Sequence, residues 1–342
     1  VQKHLLPLTV FALLAVSVGI WLEAPQQPSQ PTQGILFSQL AENANKVSHI
    51  QIKTASETLL DAHKQGENWL GKFKGEEYPL DKNKLTSFVA ALMSARLSEA
   101  KTALPKNYVH LGVEDLTAQD SQARFVTLSS QQHEWSVLVG KRASVGNGQY
   151  VRVPNKAQSW MINAAIPLPV NSQDWLWQQI LPEGISVSTL SRTDAKAWQI
   201  ETEPGVSETQ ENVNYQLVNL PAGRALKYDT VLAGVIDNLT GLRFDRLQPL
   251  ADTSTAEMTQ VAVLDIQSAE YGTFVLHLWQ DQQSQYGLTV SSDTPGYWQH
   301  WFYGLSEFSA SQINKSVEDF LLPQNTPNGG AVKVIDEGEA PR

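Results

Sequence analysis

The apolar positions of this chain change period along its length, and the changes predict its elements. Val47, Ile50 and Ile52 begin a strand-like run, and Trp69 to Phe73 ends a second strand after the turn residue Gly66. The period then becomes helical: Asp81 stands where an N-cap belongs, and Leu85, Phe88, Val89, Leu92 and Met93 recur at helical spacing up to Arg96-Leu97. Beyond a loop marked by Pro105 and Gly112, strands are predicted at 125–128, 135–139, 149–153 and 159–162, with a short helix near Asp174-Trp175-Leu176. The second half repeats this order, with strands at 185–190 and 198–201 and a helix capped by Asp229 that carries Leu232, Val235, Ile236 and Leu239. Four strands follow, at 261–266, 273–279, 286–290 and 297–302.

Individual marks pair between the halves: Trp69 with Trp198, Asp81 with Asp229, Arg96-Leu97 with Arg243-Phe244, Trp160 with Trp298, and Asp174-Trp175-Leu176 with Asp319-Phe320-Leu321. Such self-similarity predicts an α+β fold of two tandem related domains, at 35–182 and 183–322, each an antiparallel sheet with a helix packed on one face. The connections are too short for the crossovers that parallel strands require.

The N-terminus follows neither period. From Leu5 to Leu22 the chain runs 18 residues without a charge, a helix of about 27 Å and enough for a bilayer core. Lys3 precedes it and Glu23 follows it, which places the N-terminus in the cytoplasm and the body across the membrane, in the periplasm of a bacterium. Trp21 and Leu22 occupy the exit where a cleavage site needs small residues, so residues 1–22 read as an uncleaved signal anchor at the inner membrane rather than a cleaved signal. Residues 23–34 are rich in Pro and Gln and read as an extended linker. The tail at 323–342 lacks an apolar pattern able to bury anything and reads as disordered.

Composition narrows the chemistry. With 25 basic and 35 acidic residues the formal charge is −10, and no basic run exceeds the pair Lys141-Arg142; a nucleic-acid partner is not expected. Zero cysteines exclude thiol chemistry and Cys-ligated metals. No two of the seven histidines stand four apart on a helix, and His110 with Glu114 is interrupted by Gly112; neither a metal nor another cofactor is expected. Nucleophile-elbow, phosphate-loop and EF-hand patterns do not occur, and Gly146-Asn147-Gly148 reads as a hairpin turn. The paired carboxylates Glu76-Glu77, Glu114-Asp115 and Glu318-Asp319 read as turns or helix ends, so no catalytic residue is assigned.

Trp is abundant, ten in all, and the densest aromatic run is Tyr297-Trp298-Gln299-His300-Trp301-Phe302-Tyr303. Strand alternation sends Trp298, His300 and Phe302 inward and leaves Tyr297, Trp301 and Tyr303 as a possible ligand or partner surface. The cluster Trp175-Leu176-Trp177, ahead of the domain junction, reads as packing between domains.

Several segments carry a family resemblance. Leu36-Phe37-Ser38-Gln39-Leu40-Ala41-Glu42-Asn43, Tyr78-Pro79-Leu80-Asp81, Leu111-Gly112-Val113-Glu114, Leu138-Val139-Gly140-Lys141-Arg142, Tyr150-Val151-Arg152 and Asp174-Trp175-Leu176 together resemble the bacterial domain of unknown function 4340 family. These marks cover 35 to about 180, and the second half resembles the family through the repeat. The resemblance implies a single N-terminal anchor, an extracytoplasmic body and association with an ABC permease, its ATPase and auxiliary membrane proteins. It implies no catalytic residue; Lys141, Arg142 and Arg152 are its most site-like polar positions. The expected function is therefore a non-enzymatic, membrane-anchored periplasmic accessory of an ABC-type export system, with a carbohydrate or envelope-polymer binding module as the alternative.

Overall fold

The computed structural model describes residues 34–203 and 213–323. The predicted anchor at 5–22, the linker up to residue 33 and the tail from 324 lie outside the described residues. Among the described residues no helix is long and apolar enough to cross a membrane. The chain divides into two compact units, Val1–Leu176 and Trp177–Arg342. Each is an antiparallel sheet with few helices, so the fold is mostly β.

In the first unit a short helix α1 (Leu40–Asn43) precedes β1 (His49–Lys53), β2 (Thr58–Gln65), β3 (Asn68–Phe73) and β4 (Glu76–Pro79). Then come helix α2 (Lys82–Ser94), β5 (Leu97–Ala100), the one-turn helix α3 (Tyr108–Leu111), β6 (Arg124–Ser129), β7 (Glu134–Arg142), β8 (Gln149–Arg152) and β9 (Ser159–Ile162). The sheet order is β4-β3-β2-β1-β6-β7-β8-β9-β5. Alternation explains the core: Ile50 and Ile52 on β1 face inward with Ala62, Val126 and Leu128, and Leu85, Phe88 and Leu92 form the buried stripe of α2. Asp81 caps that helix, its carboxylate accepting from Asn83 N at 2.9 Å and Lys84 N at 3.2 Å.

The second unit holds β10 (Thr189–Arg192), β11 (Trp198–Thr202), β12 (Tyr215–Leu217), helix α4 (Val231–Thr240), β13 (Arg246–Pro249), β14 (Thr259–Ser268), β15 (Gly272–Gln280), β16 (Tyr286–Ser292), β17 (Trp301–Leu305) and helix α5 (Glu307–Ile313). Its order, β12-β11-β10-β14-β15-β16-β17-β13, repeats the first sheet without a counterpart of β4.

Backbone hydrogen bonds fix which residues correspond. Leu36 N donates to Ala95 O and Leu97 N to Gly34 O in the first unit; Ile180 N donates to Leu242 O and Phe244 N to Gln178 O in the second. Arg96-Leu97 and Arg243-Phe244 therefore hold one structural position. The exits match too: Asp81 N donates to Trp175 O and Lys227 N to Phe320 O, beside the isolated pairs Leu80–Leu176 and Leu226–Leu321. Trp175 meets Phe88 edge-on at 5.2 Å within its own unit, and Phe320 meets Trp198 at 5.1 Å.

Other pairings read from the sequence are corrected. Trp69 lies on β3 but Trp198 on β11, the counterpart of β2, and the register sets Tyr215 opposite Thr202 as Trp69 is set opposite Lys64. Asp229 does not cap α4, whose N-cap is Thr230 without a side-chain bond. Trp160 is on β9, whereas Trp298 lies in a 3-10 turn, Tyr297–His300, that replaces the first part of the predicted strand. Residues 174–176 form a turn rather than a helix. Glu76 and Glu77 lie on β4, not in a turn, because Lys74 and Gly75, both at positive φ, reverse the chain just before them.

Candidate functional site

Three of the segments that carry the resemblance meet at one place in the first unit. Helix α3 ends at Gly112, whose φ of +68° allows its N–H to turn back to Tyr108 O. This turn sits on β7 at Gly140, where any side chain would strike the carbonyls of Leu111 and Gly112. Beside it Arg152 of β8 is 3% exposed. Its guanidinium lies 4.4 Å from the Tyr108 ring centroid, Nε donates to Val113 O at 2.9 Å, and Nη2 donates to Asp115 Oδ1 at 2.6 Å. Tyr108 donates its hydroxyl to Ala157 O at 2.5 Å. Gln149 completes the buttress, donating to Gly140 O and accepting from Ile166 N.

This arrangement separates the three cations flagged by sequence. Arg152 is buried and bonded through all three guanidinium nitrogens, so it is corrected from a candidate ligand surface to the post on which the α3 segment stands. Lys141 and Arg142 are exposed, and Lys141 Nζ donates to Val109 O at 3.2 Å. Around them the segment presents Leu104, 55% exposed, and Val109, 48% exposed, with Lys106 and His110 also exposed. The outcome is an apolar and basic face on an acidic chain. Glu114 and Asp115, adjacent in sequence, part company: Asp115 is exposed against Arg152, while Glu114 is 8% exposed and both its carboxylate oxygens are buried without a hydrogen-bond partner. The reading of Glu114 as an ordinary turn or helix-end carboxylate is corrected, because the turn at Gly112 folds this stretch onto the sheet.

The aromatic run is corrected as well. Trp301 is 1% exposed and Tyr303 0%. All five residues of β17 are buried, so alternation leaves neither side of this strand to solvent. Gly287 and Gly296 make the room: a Cβ on either would fall inside the rings of Phe302 or Trp298. Trp298 packs against Tyr271, Phe274 and Tyr297, and its carbonyl accepts from the Tyr303 hydroxyl at 3.1 Å. Tyr297 is half-buried, and burial, with the charges of Tyr271 and Glu183, pushes its hydroxyl well above the usual tyrosine range. These rings form an interior cluster rather than a platform for sugars.

A second buried guanidinium, Arg192 on β10, donates to Asp194, Asn314 Oδ1, Lys315 O and Val261 O. Its partner Asp194 is held below the usual carboxylate range, because bonds from Arg192, Lys196 N and Val263 N outweigh desolvation. Among the described residues no group of three or more His, Asp or Glu could hold a metal ion. Sequence reasoning passed over Tyr108 and gave Gly140 no role of its own; a lone glycine inside a strand with β-branched residues was the available signal for close backbone approach.

Two antiparallel sheets with few helices, the first bearing a buttressed loop face, make this a mostly β protein. By family the chain belongs to the Domain of unknown function (DUF4340) proteins, whose model matches residues 73–265. The match begins at the end of β3 and runs to β14, so it reaches into the second unit and leaves out the marks at 36–43. No curated protein and no solved structure matches this chain.

Proposed function

We propose that the chain is a non-enzymatic, inner-membrane-anchored periplasmic accessory protein that docks onto a component of an ABC-type export system. In this reading its two units are tandem copies of one α+β domain, and residues 5–22 hold them at the membrane. Anchoring raises the effective concentration of the body for a neighbouring membrane complex without any added contact. The observation that carries the reading is the exposed face of Leu104, Lys106, Val109, Lys141 and Arg142, supported from below by Arg152 and Gly140 within the family-matched region. Apolar side chains ringed by cations on a protein of net charge −10 favour an acidic partner surface.

The test is a mild-detergent pull-down of the full chain from native membranes, with the recovered proteins quantified. An ABC permease and ATPase should come along in stoichiometric amount, and Val109→Asp with Lys141→Glu should reduce their recovery roughly ten-fold. Recovery of the chain alone, or recovery indifferent to those substitutions, would end the proposal.

A further inference from the structure

On the helix-bearing side of the first sheet, α2 and the β2–β3 hairpin leave a cleft of about 350 Å³. Ile50 and Leu85 form its floor, and Val47, Trp69, Val89 and Met93 its walls. Lys64, Lys82 and Glu67 stand at the rim, and among the described residues neither lysine forms an ion pair.

The second unit differs at the aligned place. Lys64 N donates to Ser48 O as Thr202 N donates to Ser188 O, which aligns Trp69 with Tyr215 and Val47 with Val187. Counting back from the shared Arg96 and Arg243 position aligns Val89 with Ile236 and Ala90 with Asp237. Tyr215 donates its hydroxyl to Val187 O at 3.4 Å, and Asp237 raises its pKa further beyond the effect of burial. Ile236 beneath is buried, while Val89 stays half-exposed. At these aligned positions the second unit buries its helix residue, and the first leaves Val89 half-exposed in the cleft.

We propose that this cleft takes an apolar segment of a partner protein, seated by two or three side chains and flanked by carboxylates that meet Lys64 and Lys82. A groove walled by a helix and a hairpin, open along the helix, suits an amphipathic segment. The volume is enough for a few anchoring side chains. The charge complementarity is local: the rim carries two cations to one anion on a chain of net charge −10. The cleft shares no residue with the α3 face, so the two docking readings stand or fall separately.

The test places a photo-crosslinking residue at Val89 of the full chain in native membranes, with the same residue at Lys53 as control. The expected result is one product with another polypeptide whose attached peptide carries apolar residues beside Asp or Glu. Lys64→Glu with Lys82→Glu should lower its yield roughly ten-fold at an unchanged melting temperature. Attachment only to lipid, to a second copy or to the chain itself overturns the proposal. So does a product that charge reversal leaves intact, or no product from Val89 at all.

Discussion

Gly140 on β7 lies so close to Leu111 that a Cβ built on it would stand 2.2 Å from the Leu111 carbonyl oxygen. The contact joins two residues that are 29 positions apart in sequence and sets the height of the α3 face above the sheet. Gly140→Ala should cost about 1–3 kcal/mol, since backbone cannot yield as a flexible side-chain end can. Urea unfolding of the purified chain measures it; an unchanged midpoint would show that the turn rides free of the strand.

Arg152 supports the same face from below. Arg152→Met keeps the stem but strips three donor contacts and leaves the Val113 carbonyl without its guanidinium. A loss of about 1–3 kcal/mol is expected, from the buried Val113 carbonyl left without a donor, because Asp115 is exposed and keeps its hydration. Arg152→Lys should recover little of it, because an ammonium can neither stack on Tyr108 nor span these acceptors. Thermal melts of the two variants decide this, and near-complete rescue by lysine would reduce the role to simple charge.

Asp174 closes the first unit. Desolvation works against its charged form, but bonds from Val170 N and Lys84, with the Lys84 charge, overcome it and hold the carboxyl below its usual range. Its folded pKa lies under its unfolded one, so its contribution is complete above about pH 4 and is lost as pH falls through the depressed value. Asp174→Asn should therefore be less stable than wild type at neutral pH, with the gap narrowing in acid. Denaturation at a series of pH values tests it, and a gap that widened on acidification would reverse the sign.

The two helix starts should respond differently. Asp81→Ala should cost about 1 kcal/mol through loss of its bonds to Asn83 N and Lys84 N, whereas Asp229→Ala should fall within about 0.5 kcal/mol of zero. Equal losses would mean that Asp229 caps α4 in solution.

Trp301→Ala should destabilise by about 3–5 kcal/mol, as expected of a ring 1% exposed. A variant that melted like wild type would return this ring to the surface.

Local rules made part of this fold legible. The α2 cap and stripe, the hairpin turn at Gly146 with its φ of +76°, and β6 to β9 all rest on neighbours in sequence. The pairing of Arg96 with Arg243 was legible because one sequence pattern recurs. By contrast β5 carries no alternation, with only Leu97 short of fully exposed, and is a strand only because β9 pairs with it from sixty residues away.

The candidate site was only half readable for the same reason. Sequence named Arg152, Lys141 and Arg142 but gave no means of telling an inward cation from an outward one. Burial of Arg152 depends on acceptors delivered by the turn at Gly112, and burial of Trp301 and Tyr303 depends on the space left by Gly287 and Gly296.

Sequence by itself determined most of the local elements, the doubled order and the acidic, cysteine-free chemistry, since these follow from residue type and short spacing. Tertiary structure alone decided which polar and aromatic side chains face solvent. Those outcomes depend on what distant segments place above a residue, and a one-dimensional pattern does not carry that information.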